Sequence, residues 1–305
     1  MILIVMRRSD QLTRPTFAVP AGACDCHMHV FGAAERYPPA AHRVYTPGPA
    51  PLSAWRGIAA RLGLSRVVLV QPSAYGTDNR AMVDALGAMG SNGRGIAVIA
   101  EETPVAALAT LAQAGVRGIR FNVKTHGEND GAALRQNFRR AAQRIGPLGW
   151  HIQLYADLGV IAQLADLIRT ASVPVVLDHM GGARAALGVA QDGFRTLLDL
   201  LGEGRCWVKL SGAYRVSDRD PDFADSTPIA RTLVAENPER LVWGSDWPHI
   251  GAHAAAPRVD PPAAIYRDLD SGALMNLLAE AAGDDATLRR ILVDNPARLY
   301  GFATE

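Results

Sequence analysis

Residues 22–29 of the chain read GACDCHMH, and this stretch decides the fold. Polar side chains stand at every second position, Asp25, His27 and His29, which is the spacing of one face of a β-strand. A buried strand seldom carries histidine and aspartate without partners. We therefore predict a strand that ends at a functional site, with these three side chains on one face. The opposite face, expected to pack against helices, carries Cys24, Cys26 and Met28.

Seven further apolar runs follow, at 66–71, 95–100, 118–122, 151–155, 175–179, 207–211 and 241–245. Helical patterns are predicted between and after them, at 53–62, 79–89, 103–114, 132–145, 160–170, 192–201, 228–236 and 262–282. Regular alternation of strand and helix predicts a parallel sheet, and eight such units predict a single α/β chain folded as a (β/α)8 TIM-like barrel. We expect residues 1–20 to form a flexible lead-in and residues 21–305 to form the barrel domain.

The overall composition excludes several classes of protein. The chain has 305 residues, 31 Lys+Arg against 30 Asp+Glu, and no basic run longer than two, so a nucleic-acid-binding surface is not expected. Hydrophobic residues make up 49%, yet no apolar run approaches the roughly 18 residues of a membrane span. The three cysteines are too few for a disulfide framework. We expect a cytoplasmic globular protein.

Histidine and aspartate also end two other predicted strands. Strand six ends at His179, and the segment after strand eight contains Asp246. Because the carboxyl ends of barrel strands meet at one rim, these residues should converge with His27 and His29. A helix cap or a loop salt bridge is the simpler alternative for Asp246 alone. Its place beside three imidazoles favours a catalytic site made of these four residues.

Further polar side chains at the same rim are predicted to bind substrate. A guanidinium there suits a substrate carboxylate, because it offers a planar bidentate donor. Arg120 has an alternative, a salt bridge to Asp25 or Asp178, and Arg215 could simply be solvated. Three long loops at this rim, 31–51, 212–227 and 249–261, predict a lid. The candidate binding residues are Arg120, Asn122, Tyr155, Arg215, Ser73, Tyr75, His249 and Tyr45, with His42 as a further loop residue.

The motifs at 25–29 (DCHMH), 118–122 (GIRFN), 177–181 (LDHMG), 208–212 (VKLSG) and 244–249 (GSDWPH) together resemble the amidohydrolase superfamily. Within it, the chain is similar to the branch of the 2-pyrone-4,6-dicarboxylate lactonases, from about residue 22 to residue 302. The resemblance implies a distorted barrel and hydrolysis of a small acidic lactone by water. It also implies that Asp246 takes the proton of that water, and that His27, His29 and His179 hold or polarise the carbonyl.

The same resemblance bears on metals. Metal-dependent relatives typically add a strand-five histidine to the strand-one pair and the strand-eight aspartate, whereas strand five here ends in Tyr155. Strand four presents Arg120 and Asn122, and a guanidinium near the metal position would repel a cation. We therefore expect no obligatory metal and no other cofactor.

Some positions depart from the pyrone dicarboxylate pattern. His126 and Gly182 stand where that branch carries further arginines, and Lys124 or Arg184 are candidates to compensate. The lactone ring and the number of its carboxylates therefore remain open, as does the oligomeric state. Three other functions also stay open: isomerisation of a sugar-acid lactone, metal-dependent hydrolysis or decarboxylation, and non-catalytic binding of an acidic metabolite.

Overall fold

The computed structural model describes residues 7–126, 131–251 and 262–303, in which eight parallel strands form one sheet in the order β1 to β8. The strands are Cys24–Met28 (β1), Arg66–Val70 (β2), Gly93–Ala97 (β3), Val116–Asn122 (β4), His151–Tyr155 (β5), Val175–Leu177 (β6), Trp207–Ser211 (β7) and Leu241–Gly244 (β8). Every predicted strand is present, with ends within three residues of those predicted.

Helices surround the sheet. They are Leu52–Leu62 (α1), Arg80–Met89 (α2), Val105–Gln113 (α3), Val123–His126 (α4), Gly131–Ile145 (α5), Leu158–Gln163 (α6), Ala165–Thr170 (α7), Phe194–Gly202 (α8), Ala213–Val216 (α9), Thr227–Glu236 (α10), Ser271–Ala282 (α11), Asp285–Arg289 (α12) and Asn295–Tyr300 (α13). In the part of the chain that the structure describes, no helix is both long and apolar enough to cross a membrane.

The first and last strands meet. The Asp246 N–H donates to the His27 carbonyl at 2.7 Å, and the His29 N–H donates to the Trp247 carbonyl at 2.9 Å. Met28 and Trp247 form a parallel bridge between these two bonds. The sheet is therefore a nearly closed (β/α)8 barrel, as predicted.

Two apolar layers hold the barrel together. The larger lies between strands and helices, and the smaller fills the barrel interior with alternate residues such as Val68, Val70 and Val176. Cys24 and Cys26 belong to the interior layer, so the prediction that they face the helices is wrong. The pairing of β1 with β2 shifts register between Asp25 and Met28, and this irregularity breaks the strict alternation assumed for β1.

Asp25 accordingly does not share the face of the two histidines. Its carboxylate accepts hydrogen bonds from Trp55 Nε1 on α1 at 3.0 Å and from Ser245 Oγ at 2.6 Å. Its other oxygen accepts from the Ser245 N–H at 2.9 Å. Asp25 thus ties β1 to α1 and to the turn after β8, directly beneath the predicted site.

The last predicted helix begins later than expected. Asp270 caps α11, because its carboxylate accepts from the backbone N–H groups of Gly272 and Ala273. Residues 262–270 therefore lie outside the helix, and Ala263 and Tyr266 form isolated bridges there. The predicted helix at 160–170 is divided into α6 and α7. Part of the third predicted lid loop, residues 252–261, lies outside the described residues.

The expected lead-in contacts the barrel at several points. Leu12 is buried, and its carbonyl accepts from the Arg61 guanidinium on α1. Thr13 donates through its backbone N–H and its hydroxyl to Asp270 at the start of α11. Residues 9–13 thereby link α1 to α11.

Candidate active site

Three histidines surround the carboxylate of Asp246 at the C-terminal ends of β1, β6 and β8. Nε2 of His27 and Nε2 of His29 each lie 3.6 Å from Asp246 Oδ1, and Nε2 of His179 lies 3.8 Å from Oδ2. The ring centroids of His27 and His179 are 4.7 Å apart. All four side chains are buried. The structure brings together the four residues predicted to be catalytic, and their catalytic roles remain a prediction.

Left-handed backbone conformations place two of these side chains. φ is 50° at His179 and 59° at Asp246, a conformation that costs a residue with a Cβ about 1–3 kcal/mol and is found mostly at functional sites. The approach of β8 to β1 also requires Gly244, since a Cβ there would lie 2.6 Å from the backbone nitrogen of His27. The turn that carries Asp246 is thus held against β1.

The second ring nitrogen of His29 determines its tautomer. Nδ1 of His29 lies 2.8 Å from the carbonyl oxygen of Val70, which can only accept, so Nδ1 carries the proton. Nε2 of the neutral ring then presents a lone pair toward Asp246. A lone pair and a carboxylate oxygen both need a donor or a cation between them.

A buried network surrounds the second ring nitrogen of His27. Its Nδ1 lies 3.3 Å from Asp178 Oδ1 and 3.4 Å from the ammonium of Lys209 on β7. Lys209 also lies 3.5 Å from the same carboxylate oxygen and donates to Gln153 Oε1 at 2.7 Å and to the Cys26 carbonyl at 2.9 Å. The carboxylate favours a proton on His27 Nδ1 and the ammonium favours a lone pair there, so the two contacts act on its tautomer in opposite directions.

Asp178 and Lys209 were not predicted as site residues. Both are fully buried, and Asp178 Oδ2 accepts from Gln153 Nε2 at 3.0 Å. Burial raises the pKa of Asp178, but His27 and Lys209 outweigh it and hold this pKa well below its usual range. A lysine in the middle of an apolar β7 was the available signal, because a buried ammonium needs a carboxylate partner.

Asp246 is ionised. Burial raises the pKa of its carboxyl, but the Arg215 guanidinium outweighs burial and holds the pKa well below its usual range. Arg215 Nε and the Tyr214 hydroxyl both donate to Asp246 Oδ2, the latter at 2.7 Å. Oδ1 has no hydrogen-bond partner among the residues described. One oxygen is thus anchored and the other faces the histidines.

The imidazoles are neutral near pH 7. Burial lowers the pKa of His179 to about 3 and also lowers the pKa of His29. Burial holds the pKa of His27 well below its usual value, although Asp178 acts in the opposite direction. A neutral ring with Nδ1 protonated accepts hydrogen bonds at Nε2. His29 is therefore suited to orient a donor such as water, and its lone pair cannot polarise a carbonyl oxygen.

Two arginines flank the cluster on either side of Tyr155. The guanidinium carbon of Arg120 lies 5.5 Å from the Tyr155 ring centroid and that of Arg215 lies 6.0 Å from it. The Tyr155 ring stands edge-on to His179 at 5.0 Å. Arg120 Nη2 is 3.4 Å from Asp178 Oδ2, so the alternative of a salt bridge with Asp178 is also present.

The remaining predicted binding residues divide into two groups. Tyr45 hydrogen-bonds Ser73, while burial raises the Tyr45 pKa to about 12. Ser73 lines a cavity beside Arg120 together with Asn122 and His42. By contrast, the Tyr75 hydroxyl accepts from the Gly32 N–H. His249 contacts the Tyr214 ring edge-on and Ser271 Oγ at 3.0 Å. Tyr75 and His249 are engaged with these neighbours, and their role in substrate binding remains a prediction.

The two candidate replacements for the missing arginines are engaged elsewhere. Lys124 pairs with Asp157 at 2.5 Å, and Arg184 lies on the surface 3.9 Å from Asp218. Gly182 could not carry a longer side chain in this backbone, since φ is +70° and a Cβ would lie 2.5 Å from the Ala156 carbonyl. The side chain of His126 lies outside the described residues.

The donor set fits a divalent metal ion. His27 Nε2, His29 Nε2 and Asp246 Oδ1 lie within 4.8 Å of one another, and His27 Nε2 and Asp246 Oδ1 have no hydrogen-bond partner in the described chain. Two imidazole nitrogens and a carboxylate oxygen, with an open position, form a known type of catalytic zinc site. An ion held by these three residues would supply Lewis-acid activation of water or of a carbonyl.

Comparison with known proteins identifies the family of the chain. The family model described as Amidohydrolase matches residues 24–302. The chain is 39% identical over 287 residues to the 4-sulfomuconolactone hydrolase of Rhizobium radiobacter, covering 94% of this chain and 92% of that protein. It is 35% identical over 297 residues to the 2-pyrone-4,6-dicarboxylate hydrolase of Comamonas testosteroni, covering 94% and 93%.

A solved structure extends the comparison to the fold. A Pseudomonas putida protein with the provisional name 2-pyrone-4,6-dicarboxylic acid hydrolase is 32% identical and has a TM-score of 0.79. The alignment covers 94% of this chain and 100% of that one. The motifs at the strand ends, the barrel and these matches lead to one conclusion: the chain belongs to the amidohydrolase family.

Proposed function

We propose that this protein hydrolyses a small carboxylated lactone without a metal ion, with Asp246 as the base that activates water. One observation carries the proposal: the Nε2 lone pair of His29 and an ionised carboxylate oxygen of Asp246 face one another beside two arginines. Hydrogen-bond acceptors that face one another bind a molecule that can donate to them. In a hydrolase this molecule is the water that attacks the substrate.

The proposed water donates one proton to Asp246 Oδ1 and the other to Nε2 of His29. Its oxygen lone pair is then directed at the lactone carbonyl carbon. Attack forms a C–O bond while Asp246 takes the water proton. Collapse of the tetrahedral intermediate breaks the ring C–O bond, and the departing ring oxygen takes that proton back from Asp246. The product is an open-chain acid.

Arg120 and Arg215 are the proposed partners of the substrate oxygens. Preorganised cationic donors in a buried site stabilise an oxyanion more strongly than water does. Arg215 has a side chain 18% exposed, so a substrate carboxylate can reach it while it holds Asp246. Sharing the guanidinium in this way weakens its hold on Asp246 and makes that carboxylate a better base. Binding of the substrate carboxylate to Arg215 would thereby make Asp246 more basic.

The names of the relatives support the same substrate class. The proteins from Rhizobium radiobacter and Comamonas testosteroni are both named for hydrolysis of acidic unsaturated lactones. We therefore propose the same class here, in a cytoplasmic enzyme of the breakdown of such acids.

The test is turnover of pyrone dicarboxylates, muconolactones and aldarolactones by purified protein whose bound metal is measured on the same sample. We expect hydrolysis that survives chelation, and a fall of at least about 10³-fold in kcat for Asp246→Asn with little change in KM. A ring-opened product supports hydrolysis, and an isomeric lactone would replace it with isomerisation. No turnover of any of these lactones would contradict the proposal.

Metal-dependent hydrolysis is the second candidate, and the unpartnered His27 Nε2 and Asp246 Oδ1 favour it. It predicts stoichiometric bound metal, loss of activity on chelation and recovery with zinc. Arg215 on the same carboxylate argues for the metal-free proposal, because its positive charge opposes binding of a second cation.

A further inference from the structure

A cavity of about 300 Å³ opens beside Arg120, whose Nη2 lies 3.4 Å from the Asp178 carboxylate next to His27. It lies between the C-terminal ends of β2, β3 and β4 and the helix α5. Arg120 lines its inner end and Arg140 and Asn137 of α5 line its outer wall. Apolar side chains lie between these polar ends, among them Val98, Ile99, Ile119 and Phe121. The volume is at the lower end of the range for small-molecule sites.

The cavity carries an excess of positive charge. Three arginines line it, Arg120, Arg140 and Arg144, against one carboxylate, that of Glu101. Arg144 is engaged with backbone carbonyls, including that of Ala100 at 3.1 Å. Arg140 lies 2.6 Å from Glu101, but the two side chains are 42% and 61% exposed. An exposed pair of this kind stabilises by at most about 1 kcal/mol and can be exchanged.

The guanidinium of Arg140 is the acid-binding group that the cavity offers. It pairs with Glu101 and donates through Nη2 to Asn137 Oδ1 at 2.7 Å, and both partners also line the cavity. A guanidinium binds a carboxylate through two parallel N–H donors, so a ligand carboxylate can take the place of Glu101.

We propose that this cavity binds an acid-bearing side arm of the lactone, with the ring at the histidines and the arm carboxylate at Arg140. The apolar walls accommodate the methylene or vinyl part of the arm. Arg140 is thus a specificity-determining residue for lactones whose acid is separated from the ring by at least one carbon. The proposal rests on the lactone substrate proposed above and identifies where its second acidic group lies.

Binding is tested with 3-oxocyclopentaneacetate, a ring ketone with a carboxymethyl arm that cannot be hydrolysed. Isothermal titration calorimetry should give a Kd about tenfold or more higher for Arg140→Ala than for the unmodified protein. Arg140→Gln should behave like Arg140→Ala. Arg139→Ala is the matched control, because Arg139 is the exposed neighbour on the same helix and does not line the cavity.

Glu101→Gln separates recognition from a structural role. Both Arg140→Ala and Glu101→Gln break the Arg140–Glu101 pair, so a structural role predicts the same loss of binding in both. Recognition predicts opposite effects, because Glu101→Gln releases Arg140 for the ligand and should lower Kd. Equal Kd values for the unmodified protein and Arg140→Ala, or weaker binding in Glu101→Gln, would overturn the cavity proposal.

Kinetics distinguish this proposal from the lactonase proposal. Arg140→Ala should raise KM about tenfold for 4-carboxymethylbut-2-en-4-olide and leave KM for 2-pyrone-4,6-dicarboxylate, whose acids sit directly on the ring, within about twofold. Arginine-dependent binding of the ketone without hydrolysis of any lactone would leave the cavity proposal standing and remove the lactonase. Hydrolysis with no preference for the arm would do the reverse.

Discussion

Asp246 combines two properties that oppose each other in a base. Its carboxylate is ionised and has one oxygen free of protein donors among the residues described. The same carboxylate is held at its other oxygen by Arg215 and Tyr214, and a strongly stabilised anion is a weak base. The pH dependence of the reaction shows whether Arg215 or Tyr214 limits the basicity of Asp246.

Arg215→Gln is expected to raise the pKa of Asp246 by about 1–3 units, because it removes the positive charge next to the carboxylate. The acidic limb of the kcat/KM profile, which reports the base in the free enzyme, should move toward neutral pH by that amount. KM for the acidic lactone should rise as well. The measurement is kcat/KM between pH 4 and pH 9.

Tyr214→Phe is the matched control, since it removes a neutral donor from the same oxygen. Its acidic limb should move by less than that of Arg215→Gln. An unchanged acidic limb in Arg215→Gln, with only KM altered, would mean that Arg215 acts on the substrate and not on Asp246.

At the level of elements, the sequence predicted the positions of the strands more reliably than the directions in which their side chains point. The apolar runs predicted every strand, because burial on both faces requires them. Alternation then failed in β1, where the register shift turns Asp25 toward Trp55 and places Cys26 inside the barrel. A bulge of this kind depends on how β1 pairs with β2, so it cannot be recognised from the residue types of β1 alone.

The candidate active site could likewise be predicted only in part from the sequence. The strand ends predicted His27, His29, His179 and Asp246 because their positions follow from the barrel. The partners of His27 Nδ1 could not be predicted, because Lys209 reaches it from β7 across the barrel interior. Such contacts depend on three-dimensional packing between elements far apart in the chain.

Lys209→Met tests this link between β7, β6 and β1. The substitution leaves the buried Asp178 carboxylate and Gln153 Oε1 without the ammonium, and breaking a buried ion pair costs about 3–5 kcal/mol. We expect the free energy of unfolding in urea at pH 7 to fall by that amount. Asp178→Asn combined with Lys209→Met should be destabilised by less than the sum of the single changes.

Arg169→Met provides the comparison on the surface. Arg169 pairs with Glu203 at 2.9 Å, with side chains 39% and 43% exposed, so its loss should cost about 1 kcal/mol or less. Additive effects at Asp178 and Lys209 would show that the two charges do not stabilise each other, and the proposed link between β7, β6 and β1 would lose its support.

For the whole molecule, buried histidines determine how stability responds to acid. Among the residues that the structure describes, five histidines are buried: His27, His29, His151, His179 and His249. Burial lowers the pKa of His151 to about 3 and that of His249 to about 4, against 6.5 in the unfolded chain. Between these values the unfolded chain binds more protons than the folded one. Stability must therefore fall as the pH drops below about 6.5.

His151→Asn isolates one contribution to this acid sensitivity, because His151 lies in the barrel wall away from Asp246, with its ring against Tyr300. A histidine with a folded pKa of about 3 contributes about 2 kcal/mol to the loss of stability between pH 7 and pH 5. In urea unfolding at the two pH values, His151→Asn should lose that much less than the unmodified protein. An equal pH dependence in His151→Asn and the unmodified protein would mean that His151 already binds its proton in the folded barrel, in spite of its burial.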